Sequence, residues 1–143
     1  MSDEKSNNPI VVTHDGGVRF TANVRSHRVV VDQPRHAGGQ DSAPMPIEML
    51  GVSLGTCIAY YVQQFLHARR VPYAGMRVEV EQHAVRNPNR VCAFVVRVVL
   101  PAELPVEYTD LLERVVRSCP AHNTLDRATP VRISIETPVP ALM

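Results

Sequence analysis

One segment constrains this chain more than any other. From Pro46 to about Arg70, the residues Ile47, Leu50, Leu54, Ile58, Tyr61, Phe65 and Ala68 recur at steps of three and four. That spacing lines one face of an α-helix. Pro46 suits the first helical position, and Glu48 sits favourably near the positive helix end. His67, Arg69 and Arg70 place cations at the other end, and Pro72 stops the helix. The run predicts a helix of about 24 residues, roughly 36 Å at 1.5 Å per residue. An element that long crosses a whole small domain, so the rest of the chain must be built around it. Gly51 and Gly55, next to the apolar stripe, predict close approach of another backbone. We expect that backbone to be a second helix, in this chain or in a second copy.

The flanking segments read mostly as strands. Ile10–Thr13 and Val18–Val24 are short apolar runs joined at His14-Asp15-Gly16-Gly17, a hairpin signal. His27–Asp32 is a third β-branched run. Residues 33–46 hold Gly38-Gly39 and three prolines, a long loop of the kind that tends to carry function. After the helix, Met76, Val78 and Val80 alternate with charged residues. Asn87-Pro88-Asn89 turns the chain into Val91–Leu100, where Cys92, Phe94, Val96, Val98 and Leu100 share a face. Leu104–Arg117 reads as a helix with Leu111, Leu112, Val115 and Val116 inward. Cys119-Pro120 breaks it and starts a short helical turn. Val131, Ile133 and Ile135 alternate with polar residues in a last strand. The expected order is β-β-β-α-β-β-α-β, an α+β fold.

Composition narrows the function. The chain has 143 residues, enough for one domain, and 45% of them are hydrophobic, enough for a core without disulfide support. Fifteen basic against 14 acidic residues leave a net charge of +1, so no electrostatic case exists for nucleic acid or an anionic membrane. No run approaches the ~18 apolar residues of a membrane span. Residues 1–8 are polar, without the apolar core of a secretory signal, and are expected to form a disordered tail before a single domain over 9–143. Three cysteines is an odd count for a secreted disulfide framework. A cytoplasmic protein is expected, where a disulfide is more often transient and catalytic than structural.

The cysteines differ in setting. Cys92 shares its strand face with Phe94 and Val96 and is expected to be a small buried hydrophobe. Cys57 ends Ser53-Leu54-Gly55-Thr56-Cys57 at the edge of the helical stripe. It suits either a core position or a reactive thiol with small neighbours that leave room for a ligand. Cys119 precedes Pro120, which fits the first position of a new helix. It is either a buried joint residue or an N-cap whose thiolate is stabilised by free backbone N–H groups. His122 could act as its acid-base partner or face solvent. Cys119 and His122 alone make too few ligands for zinc, and the glycine pairs lack phosphate-loop spacing, so neither metal nor cofactor is expected.

Together, Pro46-Ile47-Glu48-Met49-Leu50, Ser53-Leu54-Gly55-Thr56-Cys57 and Cys119-Pro120-Ala121-His122-Asn123-Thr124-Leu125 resemble the osmotically inducible protein C and organic hydroperoxide resistance superfamily (OsmC/Ohr). Pro34-Arg35-His36-Ala37-Gly38-Gly39 resembles its glycine-containing loop. The resemblance covers about residues 16–136. It implies antiparallel sheets wrapped around two long central helices in an intertwined homodimer, with active sites at the subunit interface. It also implies a thiol-dependent peroxidase that reduces organic hydroperoxides in oxidative or osmotic stress defence, without a bound cofactor. Cys57 would become a sulfenic acid and Cys119 would form a disulfide with it. A small dithiol or a lipoyl-bearing protein would restore both thiols. A non-catalytic stress or small-ligand-binding protein is the alternative.

An Arg and a Glu set up the thiolate in the hydroperoxide-resistance branch. Arg19 is the matching candidate, with Arg28 in reserve. The branch's Glu lies ten positions before the cysteine, where this chain has Ile47; Glu48 lies nine before. At about 100° per residue, nine steps put Glu48 across the helix from Cys57. Glu48 therefore stands as a site candidate from the broader OsmC-like pattern and as a first-turn helix charge.

Overall fold

A computed structural model of the chain describes residues 4–138. Residues 1–3 of the expected tail and 139–143 of the expected domain lie outside that range. The element order is β1 (Val11–Gly16), β2 (Arg19–Val24), β3 (His27–Val31), α1 (Pro46–Ala68), β4 (Arg77–Val85), β5 (Arg90–Val99), α2 (Val106–Arg117) and α3 (Pro120–Leu125).

Helix α1 runs 23 residues and organises everything after it. Pro46 occupies its first turn, and Glu48 Oε2 accepts the Met45 backbone N–H at 2.8 Å, satisfying an orphan donor. At the other end Arg70 adopts a left-handed φ of 56°, and the Val71 N–H returns to the Leu66 carbonyl. Arg69 lies 3.6 Å over the Phe65 ring. Leu54, Ile58, Val62, Phe65 and Leu66 are buried. Each such side chain contributes about 1.5–3 kcal/mol relative to exposure. The covered face takes in Val62 and Leu66 beyond the periodic stripe because sheet and helices together cover more of the helix than one seam. The N-terminal end is bare by comparison: Ile47, Leu50 and Val52 are all exposed.

Strands β4 and β5 form a two-stranded antiparallel sheet, and β4 lies against α1. Gly51 and Gly55 serve that contact, not the helix–helix contact expected from the sequence. A Cβ at Gly51 would meet Gln82 Oε1 at 2.4 Å, and one at Gly55 would meet Val80 Cγ2 at 3.0 Å. Gln82 also donates to the Ile47 carbonyl at 3.0 Å. Helices α2 and α3 pack on α1 as well. Leu112 is buried, but Leu111, expected inward, is exposed because α2 is covered on one side only.

Strands β1, β2 and β3 form a separate antiparallel meander. Gly16 and Gly17 both have positive φ in the first turn, as Asp-Gly-Gly predicts. This sheet has no extensive packing on any helix or on β4–β5. Ile10, Val11, Val12 and Phe20 are exposed.

The last strand expected from the sequence does not form. Residues 128–138 make no ladder, and Val131, Ile133 and Ile135 are 80–87% exposed. An alternating segment needs a sheet edge to pair with, and this one pairs with none among the described residues.

Leu66, fully buried at the centre of the core, tests this packing. Leu66→Ala should destabilise the protein by about 2–5 kcal/mol in a denaturant melt. A loss below about 0.5 kcal/mol, typical of surface sites, would contradict the assigned core.

Candidate active site

Cys119 sits where α2 ends and α3 begins. Pro120 cannot extend α2 but fits the first turn of α3, which leaves Cys119 extended (φ −66°, ψ 144°) as the N-cap. Its Sγ accepts the His122 backbone N–H at 3.3 Å. The side chain is fully buried.

Folding brings Cys57 to it. α3 packs on α1, and the Cys57 thiol lies against the core cluster that holds Cys119, close enough to act on the Cys119 thiol. Cys57 itself is half-buried, at the edge of the stripe beside Ile58. Its neighbour Thr56 spends its hydroxyl on the Val52 carbonyl at 2.7 Å, so Thr56 offers no free proton. Both cysteines are free thiols.

Two effects compete at Cys119. Burial disfavours the thiolate, and the adjoining Cys57 thiol adds to that; the His122 and Ala121 N–H groups favour the thiolate. Burial wins, and the pKa is raised. The cap geometry expected from Cys119-Pro120 is therefore present, but the stabilised thiolate expected with it is not. At neutral pH Cys119 is a protonated thiol in contact with a more accessible one. Such a pair can lose two electrons and form a disulfide.

The other candidates are placed elsewhere. Glu48 is engaged at the N-terminus of α1 with Met45. Arg19, at the start of β2, donates to Ser42 Oγ at 3.0 Å and lies 3.8 Å from Asp15. It belongs to the meander, which does not cover α1 of its own chain. Arg28 is exposed on β3.

Cys92 is exposed, contrary to the buried position its strand pattern suggests. The register of β4 with β5 shifts between His83 and Ala84, leaving Cys92 as the extra residue of a β-bulge, and its thiol donates to the His83 carbonyl at 3.2 Å. His122 is half-buried, with its Nδ1 enclosed and unpartnered.

A cavity of about 610 Å³ lies between β5, α2 and α3, lined by Phe94, Val96, Leu112, Val116 and His122. Leu54 and Ile58, which flank Cys57 on α1, form part of its wall, but neither paired sulfur lines it. Among the described residues no group of three or more His, Cys, Asp or Glu side chains could hold a metal ion. None of the described helices is long and apolar enough to cross a membrane.

One residue escaped the sequence reading. Asp32 is buried and gathers the whole following loop around its carboxylate. An acid closing a β-branched run just before a glycine pair was the available signal.

Comparison with known proteins settles the family. The family model for OsmC-like proteins matches residues 39–134, well over half of the chain. The chain belongs to the OsmC-like protein family. No curated protein matches it. Solved structures share the α+β fold at low identity. A Psychrobacter arcticus protein assigned to osmotic stress and detoxification response is 20% identical with a TM-score of 0.75, over 86% of this chain and 91% of its own. An OsmC-like protein from Mycoplasma pneumoniae is 22% identical (TM-score 0.60; 87% and 89% covered). An organic hydroperoxide resistance protein from Legionella pneumophila is 16% identical (TM-score 0.54; 85% and 91% covered).

Burial of Cys119 has a pH consequence. Its folded pKa lies above the unfolded value, so its contribution to stability is complete below about pH 8.5. As pH rises further the unfolded chain sheds the proton first, and stability falls until the folded thiol also ionises. Denaturant melts in reducing buffer should show this decline above about pH 9, and Cys119→Ser should flatten it. A decline of equal slope in the variant would contradict the assignment.

Proposed function

We propose that this OsmC-like protein is a thiol-dependent peroxidase for organic hydroperoxides. The observation that carries this is the contact between a half-buried Cys57 thiol and a fully buried, protonated Cys119 thiol. The Cys57 thiolate attacks the peroxide O–O bond. An alcohol leaves after taking up a proton, and Cys57 becomes a sulfenic acid. Cys119 then supplies its thiol, a Cys57–Cys119 disulfide forms, and water leaves. A small dithiol or a lipoyl-bearing protein returns two electrons and two protons. Burial suits Cys119 to this second, resolving step, because a protonated thiol does not compete for the peroxide.

Arg19 is assigned to the Cys57 thiolate as its cation, supplied by a second copy of the chain. Three exposed apolar surfaces support such an assembly: the meander, the N-terminal end of α1, and the alternating segment Val131–Ile135. Sedimentation should give a homodimer at micromolar concentration. A stable folded monomer would contradict this assembly and the shared site.

Peroxidase action is tested by rate. Wild-type protein with a dithiol reductant should consume cumene hydroperoxide, and Cys57→Ser should abolish it. Equal consumption by both would remove the proposal. One observation favours a non-catalytic stress or ligand-binding role instead: Glu48 is spent on the helix cap. Titrating Cys57 with a thiol-reactive dye separates the two. A midpoint near the ordinary value of about 8.5 favours binding, and a strongly lowered one favours catalysis.

A further inference from the structure

Asp32 follows β3 and is only 2% exposed. Four donors converge on its carboxylate. The Gln33 N–H reaches Oδ1 at 2.8 Å; the Gln40 and Ser42 N–H groups reach Oδ2 at 3.3 and 3.0 Å. The Ser42 hydroxyl is 2.6 Å from the same oxygen. The loop closes further where the Asp32 N–H donates to the Pro44 carbonyl at 3.1 Å and the Asp41 N–H to the Gln33 carbonyl at 3.0 Å. A Cβ at Gly39 would stand 1.8 Å from the Gln33 carbonyl oxygen and 2.8 Å from Asp32 Oδ1, so only glycine lets the chain fold over the carboxylate.

Every group facing Asp32 is a donor. That fixes the direction of the next bond. Ser42 Oγ has one proton and gives it to Asp32, which leaves its lone pairs for Arg19. Arg19 Nη1 donates into them at 3.0 Å. On its other side Arg19 lies near Asp15, whose carboxylate accepts the Thr21 hydroxyl. The guanidinium is thus tethered to the loop by a one-way chain, Arg19 to Ser42 to Asp32. The donors also hold the Asp32 carboxyl at about 2, below the ordinary carboxylate value, so it stays an acceptor at working pH.

We propose that Asp32, acting through Ser42, is a positioning residue that aims the Arg19 guanidinium at the reactive thiolate. This rests on the role given to Arg19 in the proposed peroxidase. A long side chain on an exposed strand holds one orientation only when tethered, because rotamer freedom opposes it. Loss of the tether should leave Arg19 present but misaimed.

The test compares Arg19→Gln, Ser42→Ala, Asp32→Asn and Ser42→Thr in the full chain, with circular dichroism to confirm folding. The readouts are the pH midpoint of Cys57 alkylation and the rate of peroxide consumption. Arg19→Gln should raise the midpoint. Ser42→Ala and Asp32→Asn should raise it in the same direction. Asparagine cannot accept from all four donors in either amide orientation. Rates should fall roughly tenfold to a hundredfold, the scale of a misplacement of about 1 Å. Ser42→Ala combined with Arg19→Gln should do no more than Arg19→Gln alone, and Ser42→Thr, which keeps the hydroxyl, should restore wild-type behaviour. Ser42→Ala at the wild-type midpoint and rate, beside a shifted Arg19→Gln, overturns the tether and leaves the peroxidase standing. An unshifted Arg19→Gln overturns the tether together with the role of Arg19. Wild-type peroxide consumption by Cys57→Ser overturns the peroxidase itself.

Discussion

The packing of one face of α1 is the constraint on which this structure depends. Leu54, Ile58, Val62, Phe65 and Leu66 have no alternative to burial, and β4, α2 and α3 all assemble on them. Five such side chains contribute about 8–15 kcal/mol before the cost of ordering the chain. That cost, about 1–2 kcal/mol per ordered residue, is far larger in total, so these contacts count only if the packing is close. Gly51 and Gly55 show how close: each lets β4 approach to a distance that a Cβ would contest. The same packing fixes Cys57, because a residue at the edge of the stripe cannot move without rotating the whole helix. Seating α3 on that helix puts a second sulfur beside it.

Chemistry at the pair follows from unequal burial. Cys119 has the hydrogen bonds of an N-cap, which alone would favour its thiolate, but it is enclosed and stays protonated. Cys57 is half-buried and reachable. In the peroxidase we propose, that difference would assign the roles: the accessible sulfur would meet the oxidant, and the enclosed one would resolve it. That reading also calls for a cation at Cys57, which we assign to Arg19 of a second copy. Within one chain Arg19 is held by Ser42, on a sheet that leaves Val11, Val12 and Phe20 exposed. An assembly that covers that sheet and brings Arg19 to a second α1 would meet both needs.

Local signals in the sequence were legible because they are decided locally. Pro46 and Pro72 bracket α1, Asp15-Gly16-Gly17 turns β1 into β2, and Pro120 starts α3 at Cys119. Signals that depend on what faces what were not. Gly51 and Gly55 announced a close neighbour but could not say that it is a strand rather than a helix. Cys92 has the right parity for the core, but a one-residue bulge moved it to the surface, and bulges leave no periodic trace. The Val131–Ile135 alternation is a strand pattern that pairs with no strand among the described residues. Asp32 was overlooked because a single acid in a polar loop looks like any other until its four donors are seen. The pairing of Cys57 with Cys119, far apart in sequence, came from family resemblance, and the packing of α3 on α1 supplies its physical basis.

Stoichiometric oxidation tests the central claim most directly. Fully reduced protein, mixed with one equivalent of cumene hydroperoxide and no other reductant, should lose two thiols per chain. Peptide mapping under non-reducing conditions should recover them as a single Cys57–Cys119 linkage, with Cys92 still free. Recovery of Cys92 in the disulfide, or of Cys57 oxidised with Cys119 still a thiol, would contradict the account.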